Sequence, residues 1–348
     1  VSPDLLIIAV AAGEPLEGLD LAKGGYARLA LAGATFSRIR FAETDFRGSD
    51  LRETVFDQCD LRGALASGAN LRRAVFNRCT LDHADLRQAV LHGAVFTECD
   101  LQHAQLASAT LTMATVNQCR LDHANLRGAA LGSAVITRSV LLDVCADDTD
   151  WAYTTMSECE LPHLTWGGAR MLRSVFVKTA LTGKSFAGLS LDGCQFSFSD
   201  LRGADFAGVS LAQCNFQGAQ LDGASFARAV APSALFCEAS GTGVDFTGAR
   251  LRQALFTGAV LPQARFAGAD LVQTHFAGAQ LLAADFSGAD LTYADFSHAD
   301  LRGADLRRAS LLRAVLHGAQ TENAQITDRA RALEADPQRL EAERWSAT

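Results

Sequence analysis

From Leu16 to Leu316 every fifth residue is uncharged and nearly always apolar, and the phase never slips. The 61 positions hold 31 Leu, 19 Phe and 11 others, and 19 of the chain's 20 Phe fall in this single phase. A period of five fits neither an amphipathic helix nor a plain strand, so the pattern predicts a repeat array. Two residues before each centre the side chain is usually small, with 33 Ala and seven Cys among the 61. Residues two apart on an extended chain point to the same side, so the centre and the small residue both face inward. The other three positions carry Asp, Asn, Ser, Arg, Gln and Gly, and face water. Gly often closes the unit, as in Ala284-Asp285-Phe286-Ser287-Gly288, which suits a corner with positive φ. Each pentapeptide therefore reads as one short strand and one corner.

A longer period lies over the short one. Cys59, Cys79, Cys99, Cys119 and Cys159 recur at multiples of 20, as do His83, His103, His123 and His163. Phe36, Phe56, Phe76 and Phe96 share one 20-residue phase with Phe176 to Phe296, interrupted by Val116, Ile136 and Met156. Twenty residues per turn means four pentapeptides per turn. The chain thus predicts an all-β solenoid, a quadrilateral parallel β-helix of about fifteen coils with short helical caps. One continuous solenoid is expected over 14–320, with an N-terminal cap at 1–13 and a C-terminal cap or tail at 321–348. Ser2-Pro3-Asp4 starts a helix with a capping Ser, and Gly13 and Pro15 end it. At the other end, 326–335 and 337–345 read as two short charged helices split around Pro337.

The unit A-(D/N)-(L/F)-x-x, repeated about sixty times, strongly resembles the pentapeptide repeat family. The resemblance implies a right-handed quadrilateral β-helix over 14–320. It implies no single activity, because the family ranges from topoisomerase-binding DNA mimics to secretion accessories. The lead-in from Ala11 to Leu21 is similar to that of modules associated with bacterial type VI secretion. The gyrase-directed members further imply a homodimer joined through the C-terminal ends.

Composition narrows the classes. Thirty-one basic against 39 acidic residues give a net charge of −8, modest for so long a chain. No basic stripe emerges at 20-residue spacing, so direct nucleic-acid binding is not expected. The apolar run Leu5 to Ala12 is too short to span a membrane and lacks the basic start of a signal peptide, so it reads as a cap and no membrane association is expected. Nine Cys, seven at inward positions, suit a reducing compartment, and a bacterial cytoplasm is the expected setting.

Four units read Cys-x-Leu-x-His, from Cys79-His83 to Cys159-His163, which invites a metal site. The Cys faces the core while the His lies at an outer corner, so the two cannot share an ion. The His ladder alone offers only nitrogen ligands. No metal and no cofactor are expected. No matched nucleophile, base or phosphate-cradling loop appears, so the chain is not expected to be an enzyme. Asp precedes the centre sixteen times, including an unbroken run at Asp285, Asp290, Asp295, Asp300 and Asp305. This run is either a DNA-like acidic surface or the repeat's preferred outward residue, diluted by Arg302, Arg307, Arg308 and Arg313. The least regular stretch, 137–185, carries Trp151 and Trp166 as centres and Lys184 at an inward position, where an ammonium needs a partner or a bulge. Exposed Trp there would anchor a partner. A second weak spot runs from Ala231 to Gly241, where the centres shrink and Pro232 removes a donor.

The sequence thus predicts a non-enzymatic scaffold or adaptor for another protein, with type VI secretion as its setting. Its candidate contacts are Trp151, Trp166, Leu340 and Trp345, the last two lying beyond the repeat. The alternative is a gyrase-directed DNA mimic acting through Asp285, Asp290 and Asp295.

Overall fold

A computed structural model of the protein describes residues 2–345. The chain divides into two compact units, Val1–Val175 and Phe176–Thr348, and the five-residue phase is the same in both. Each is a four-sided parallel β-solenoid, with about sixteen turns in all. Residues 20 apart pair in register, as in Asp60↔Thr80 in the first unit and Asp205↔Ser225 in the second.

Three backbone N–H groups per pentapeptide hold the turns together. The centre and the corner donate forward, as in Leu51 N–H to Asn70 O (2.8 Å) and Glu53 N–H to Arg72 O (2.9 Å). The residue before the centre donates back, as in Asn70 N–H to Ser49 O (2.9 Å). The N–H just after the centre lies outside this ladder, and the Asp or Asn before the centre accepts it. Examples are Asp60 Oδ1 from Arg62 N (3.2 Å), Asp205 Oδ1 from Ala207 N (2.9 Å) and Asn215 Oδ1 from Gln217 N (2.8 Å). A short acceptor side chain that reaches its own backbone two residues on is the Asx turn, and it explains the outward Asp without any partner. Pro162, Pro232 and Pro262 all stand at the ladder-free position. Pro232 therefore costs no ladder bond, contrary to expectation.

The inward small position has its own chemistry. Where it is Ser, Thr or Cys, the side chain donates to a backbone carbonyl, in many turns that of the centre 23 residues earlier, and in others a nearer one, as Ser139 Oγ to Thr137 O (2.9 Å). Thr54 Oγ1 reaches Leu31 O (3.2 Å), Ser199 Oγ reaches Phe176 O (2.8 Å) and Cys79 Sγ reaches Phe56 O (3.2 Å). These buried polar atoms are satisfied, so they replace Ala at little cost. All nine Cys are free thiols. Lys184 is half-buried at such a position, and its N–H still donates to Leu181 O (3.2 Å), so the turn does not bulge. Burial holds its ammonium below the usual lysine range. At Gly241 an added Cβ would lie 2.6 Å from the Leu221 carbonyl carbon, so the missing centre is filled by backbone packed close.

In the first unit one face forms true strands. These are β1 (Leu16–Glu17), β2 (Thr35–Ser37), β3 (Val55–Asp57), β4 (Val75–Asn77), β5 (Val95–Thr97), β6 (Thr115–Asn117), β7 (Val135–Thr137) and β8 (Thr155–Ser157). They pair in sequence order, with Phe36, Phe56, Phe76, Phe96, Val116, Ile136 and Met156 in register. From β2 onward each has Thr or Val before its centre, and β-branched residues fit a pleated surface. A further strand, β9 (Val175–Val177), lies where the units divide. Helix α1 (Pro3–Ala11) opens the unit, with Ser2 Oγ accepting from Leu5 N at 3.4 Å.

The second unit runs further than the sequence predicts. Strand β10 (Asp305–Leu306) pairs with β11 (Gln325–Ile326), and Val315 pairs with Leu333. The expected helix at 326–335 is instead the end of a strand, a single 3₁₀ turn at Arg329–Arg331 and this last bridge. Asp328 Oδ2 and Thr327 Oγ1 accept from Leu311 N (3.0 Å) and Arg308 N (2.9 Å), which closes the ladder without another coil. Helix α2 (Pro337–Arg344) follows, capped by Asp336, whose Oδ1 accepts from Gln338 N at 2.9 Å.

Candidate interaction surfaces

The structure overturns one expected anchor. Trp151 is 1 % exposed and Trp166 6 %, so both indoles fill the core of the first unit rather than its surface. The Trp151 Nε1–H donates to Thr149 Oγ1, which satisfies its polar edge inside. The Trp residues occupy the apolar phase and behave as large centres. Irregular composition at 137–185 marks a substitution within the core.

The acidic run is on the surface but locally engaged. Asp285 Oδ1 accepts from Ser287 N (2.8 Å), Asp290 Oδ1 from Thr292 N (3.1 Å) and Oγ1 (2.6 Å), and Asp295 Oδ1 from Ser297 N (2.9 Å) and Oγ (2.6 Å). Asp300 and Asp305 make bidentate pairs with Arg302 and Arg307, their shortest contacts being 2.7 and 2.6 Å. The guanidinium beside each holds its carboxyl below the usual range. The same Asp-x-Arg clamp recurs at Asp45-Arg47, Asp50-Arg52, Asp60-Arg62, Asp85-Arg87 and Asp200-Arg202. Each clamp cancels a charge where it stands.

The end of the second unit is different. His317, 3 % exposed, has Nε2 3.1 Å from Glu343 Oε2 on α2, and His298 Nε2 stands at the same 3.1 Å from that oxygen. Asp336 N–H points at His317 Nδ1 (3.3 Å), so Nδ1 accepts and Nε2 carries the proton to Glu343. These three groups form a hydrogen-bonded latch for α2. The His317 contact holds the Glu343 carboxyl below its usual range. Leu340 lines the cleft under α2 with Leu316 and Ala319, and is half-buried. Trp345, just past the helix, is 88 % exposed, and Leu333 is also exposed.

The fold is matched by its sequence family. The description "Pentapeptide repeats (8 copies)" fits residues 30–65, 190–226, 219–258, 259–297 and 289–324, and "Pentapeptide repeat region" fits 49–126. The chain belongs to the pentapeptide repeat family. No curated protein matches its sequence. Among solved structures it is similar to full-length QnrB1, a plasmid-mediated fluoroquinolone resistance protein, at 24 % identity over 59 % of this chain and 92 % of that one (TM-score 0.31). It is also similar to HetL, involved in heterocyst differentiation regulation in Nostoc sp. strain PCC 7120, at 22 % identity over 90 % of this chain and 96 % of that one (TM-score 0.18). A pentapeptide repeat protein of the Arabidopsis thaliana thylakoid lumen shares 31 % identity over 35 % of this chain and 68 % of that one (TM-score 0.16).

Within this family fold, two features carry a sequence signal of their own. The Asp-x-Arg clamps were legible as a pattern two residues apart across a centre, because both side chains leave the same face of the turn. Helix α1 buries Leu6 but leaves Leu5 and Ile8 about 60 % exposed. The signal for this was an eight-residue run apolar on every side, of which one solenoid end can cover only a stripe. Among the described residues no helix is long and apolar enough to cross a membrane.

Proposed function

We propose that this protein is a non-enzymatic interaction scaffold or adaptor that binds protein, including a second copy of itself, through its C-terminal end. The observation that carries the reading is Trp345, an indole 88 % exposed beside a helix that the second unit holds by a buried histidine. Large aromatics placed outside on an anchored element are what interface hot spots are made of. A bacterial, cytoplasmic setting goes with this reading, supported by nine free thiols. A role as a type VI secretion adaptor is its finer form and rests on the lead-in from Ala11 to Leu21. The test is sedimentation of the full chain across concentration, beside Trp345→Ala and a truncation at Pro337 that leaves Leu333 in the ladder. Concentration-dependent association weakened by both changes is expected. A full chain that stays monomeric, or a truncation that associates unchanged, contradicts the reading.

The second reading, a gyrase-directed DNA mimic, is favoured by the five successive outward Asp from Asp285 to Asp305. Against it stand the clamps at Asp300 and Asp305.

A further inference from the structure

The histidines at the corners of the first unit form a column. His83 and His103 stack with ring centroids 4.5 Å apart and planes 8° from parallel, and His103 and His123 at 5.0 Å and 6°. Each sits at a left-handed corner, φ 56 to 58°, which turns the imidazole out of the wall. The far end of the column is already served by a carboxylate, since Asp143 lies 3.7 Å from His123 Nδ1 and 3.0 Å from His163 Nδ1. At the near end Asp82 joins His83 and His103, one ligand atom from each lying within 4.8 Å of the other two. The expectation that the ladder offers only nitrogen is therefore corrected, because the adjacent Asp supplies oxygen. A second observation points the same way. Asp82 Oδ1 is buried without a hydrogen-bond partner, unlike the Asp residues that cap their own turns. The neighbouring Arg62 is clamped to Asp60 at 2.6 Å.

We propose that Asp82, His83 and His103 form a binding site for a divalent transition-metal ion. Two imidazoles and a carboxylate suit Zn²⁺, Ni²⁺ or Cu²⁺ and are a poor set for Ca²⁺ or Mg²⁺. Ligands about 2.1 Å from a tetrahedral ion stand about 3.4 Å apart with their in-plane lone pairs aimed at it, so the parallel rings must turn out of their stack to bind. His83, 66 % exposed in its side chain, can turn about χ1 and χ2 to do so.

The test is calorimetric titration of the full chain with NiCl₂ at pH 7.5. One ion per chain is expected. His103→Ala should weaken binding by about tenfold or more, Asp82→Asn measurably, and His163→Ala and His298→Ala not at all. His163 and His298 are exposed and Asp82 and His103 partly so, and far-UV circular dichroism checks that the variants stay folded. Absent binding by the natural chain, or His103→Ala binding equally well, overturns the proposal. So does wild-type affinity in Asp82→Asn, or loss of the ion in His298→Ala.

Discussion

The two units share a phase and differ in what fills it. In the second, Phe occupies two opposite faces in columns that run to Phe286 and Phe296, with Leu on most of the centres between them. Rings in one column stack, as Phe236 on Phe256 at 4.7 Å and 3° from parallel, while rings of the two columns meet edge to face, as Phe246 and Phe256 at 5.5 Å and 88°. Both arrangements suit the ring quadrupole. In the first unit one Phe stack runs from Phe56 to Phe96 and then yields to Val116 and Ile136. Small apolar voids of about 20 Å³ remain there, one lined by Phe56, Leu61, Leu71 and Phe76, another by Phe96, Leu106, Leu111 and Val116. Leu around a square leaves gaps that paired Phe columns close. The outer wall reverses the order. The first unit has three-residue strands over Val55, Val75 and Val95, whereas the same phase of the second unit carries Gln195, Asn215, Leu235, Leu255 and His275 and keeps only single bridges. One unit is cohesive in its core and the other in its wall.

The largest effect should come from breaking the Phe columns. Phe256→Ala removes a fully buried ring with stacked and edge partners, and a loss of about 3–5 kcal/mol is expected. Leu111→Ala, beside a void, gives up fewer contacts and should fall low in the range of about 2–5 kcal/mol. Denaturant melts compare them, with Trp151 and Trp166 as reporters for the first unit. A larger loss for Leu111→Ala would invert the comparison of cores.

A middle-sized effect tests the turn chemistry common to both units. Asp205→Ala should cost about 0.5–1.5 kcal/mol by leaving the Ala207 N–H without its acceptor, while Asp205→Asn should cost almost nothing. Equal losses would mean that charge and not the Asx bond matters at this position. The smallest effect concerns the wall. Val75→Asn in the first unit should destabilise, and Asn215→Val in the second should recover less than it forfeits at Gln217 N, each within about 1 kcal/mol. Opposite signs would show that strand propensity does not distinguish the two walls.

Much of this was written in the sequence because the solenoid is nearly one-dimensional. Phe36 to Phe96 and Cys59 to Cys119 each face their own kind one turn later, so a 20-residue recurrence is already a contact map. The legibility stops where the period does. Leu333 pairs with Val315 across 18 residues instead of 20, so no phase rule reaches it, and 326–335 reads as a helix because its charged composition is all that remains. Trp151 and Trp166 stand in phase, and in-phase side chains lie inside whatever their size. Asp82 joins the His column because its turn leaves one oxygen without a hydrogen bond and 3.8 Å from His83 Nε2, which the motif does not show.

The central claim is that the protein works as a binding scaffold, with outward Asp that serve the turns. Gyrase-catalysed DNA supercoiling in the presence of the purified chain tests it most directly, beside the combined Asp285→Asn, Asp290→Asn and Asp295→Asn variant. Asn keeps the acceptor for the backbone two residues on, as Asn125 and Asn215 already do, so the triple change removes charge without removing the turn. The account predicts that neither protein inhibits supercoiling. Strong inhibition at low concentration by the natural chain, abolished in the triple variant, would contradict it and make the acidic surface the functional one.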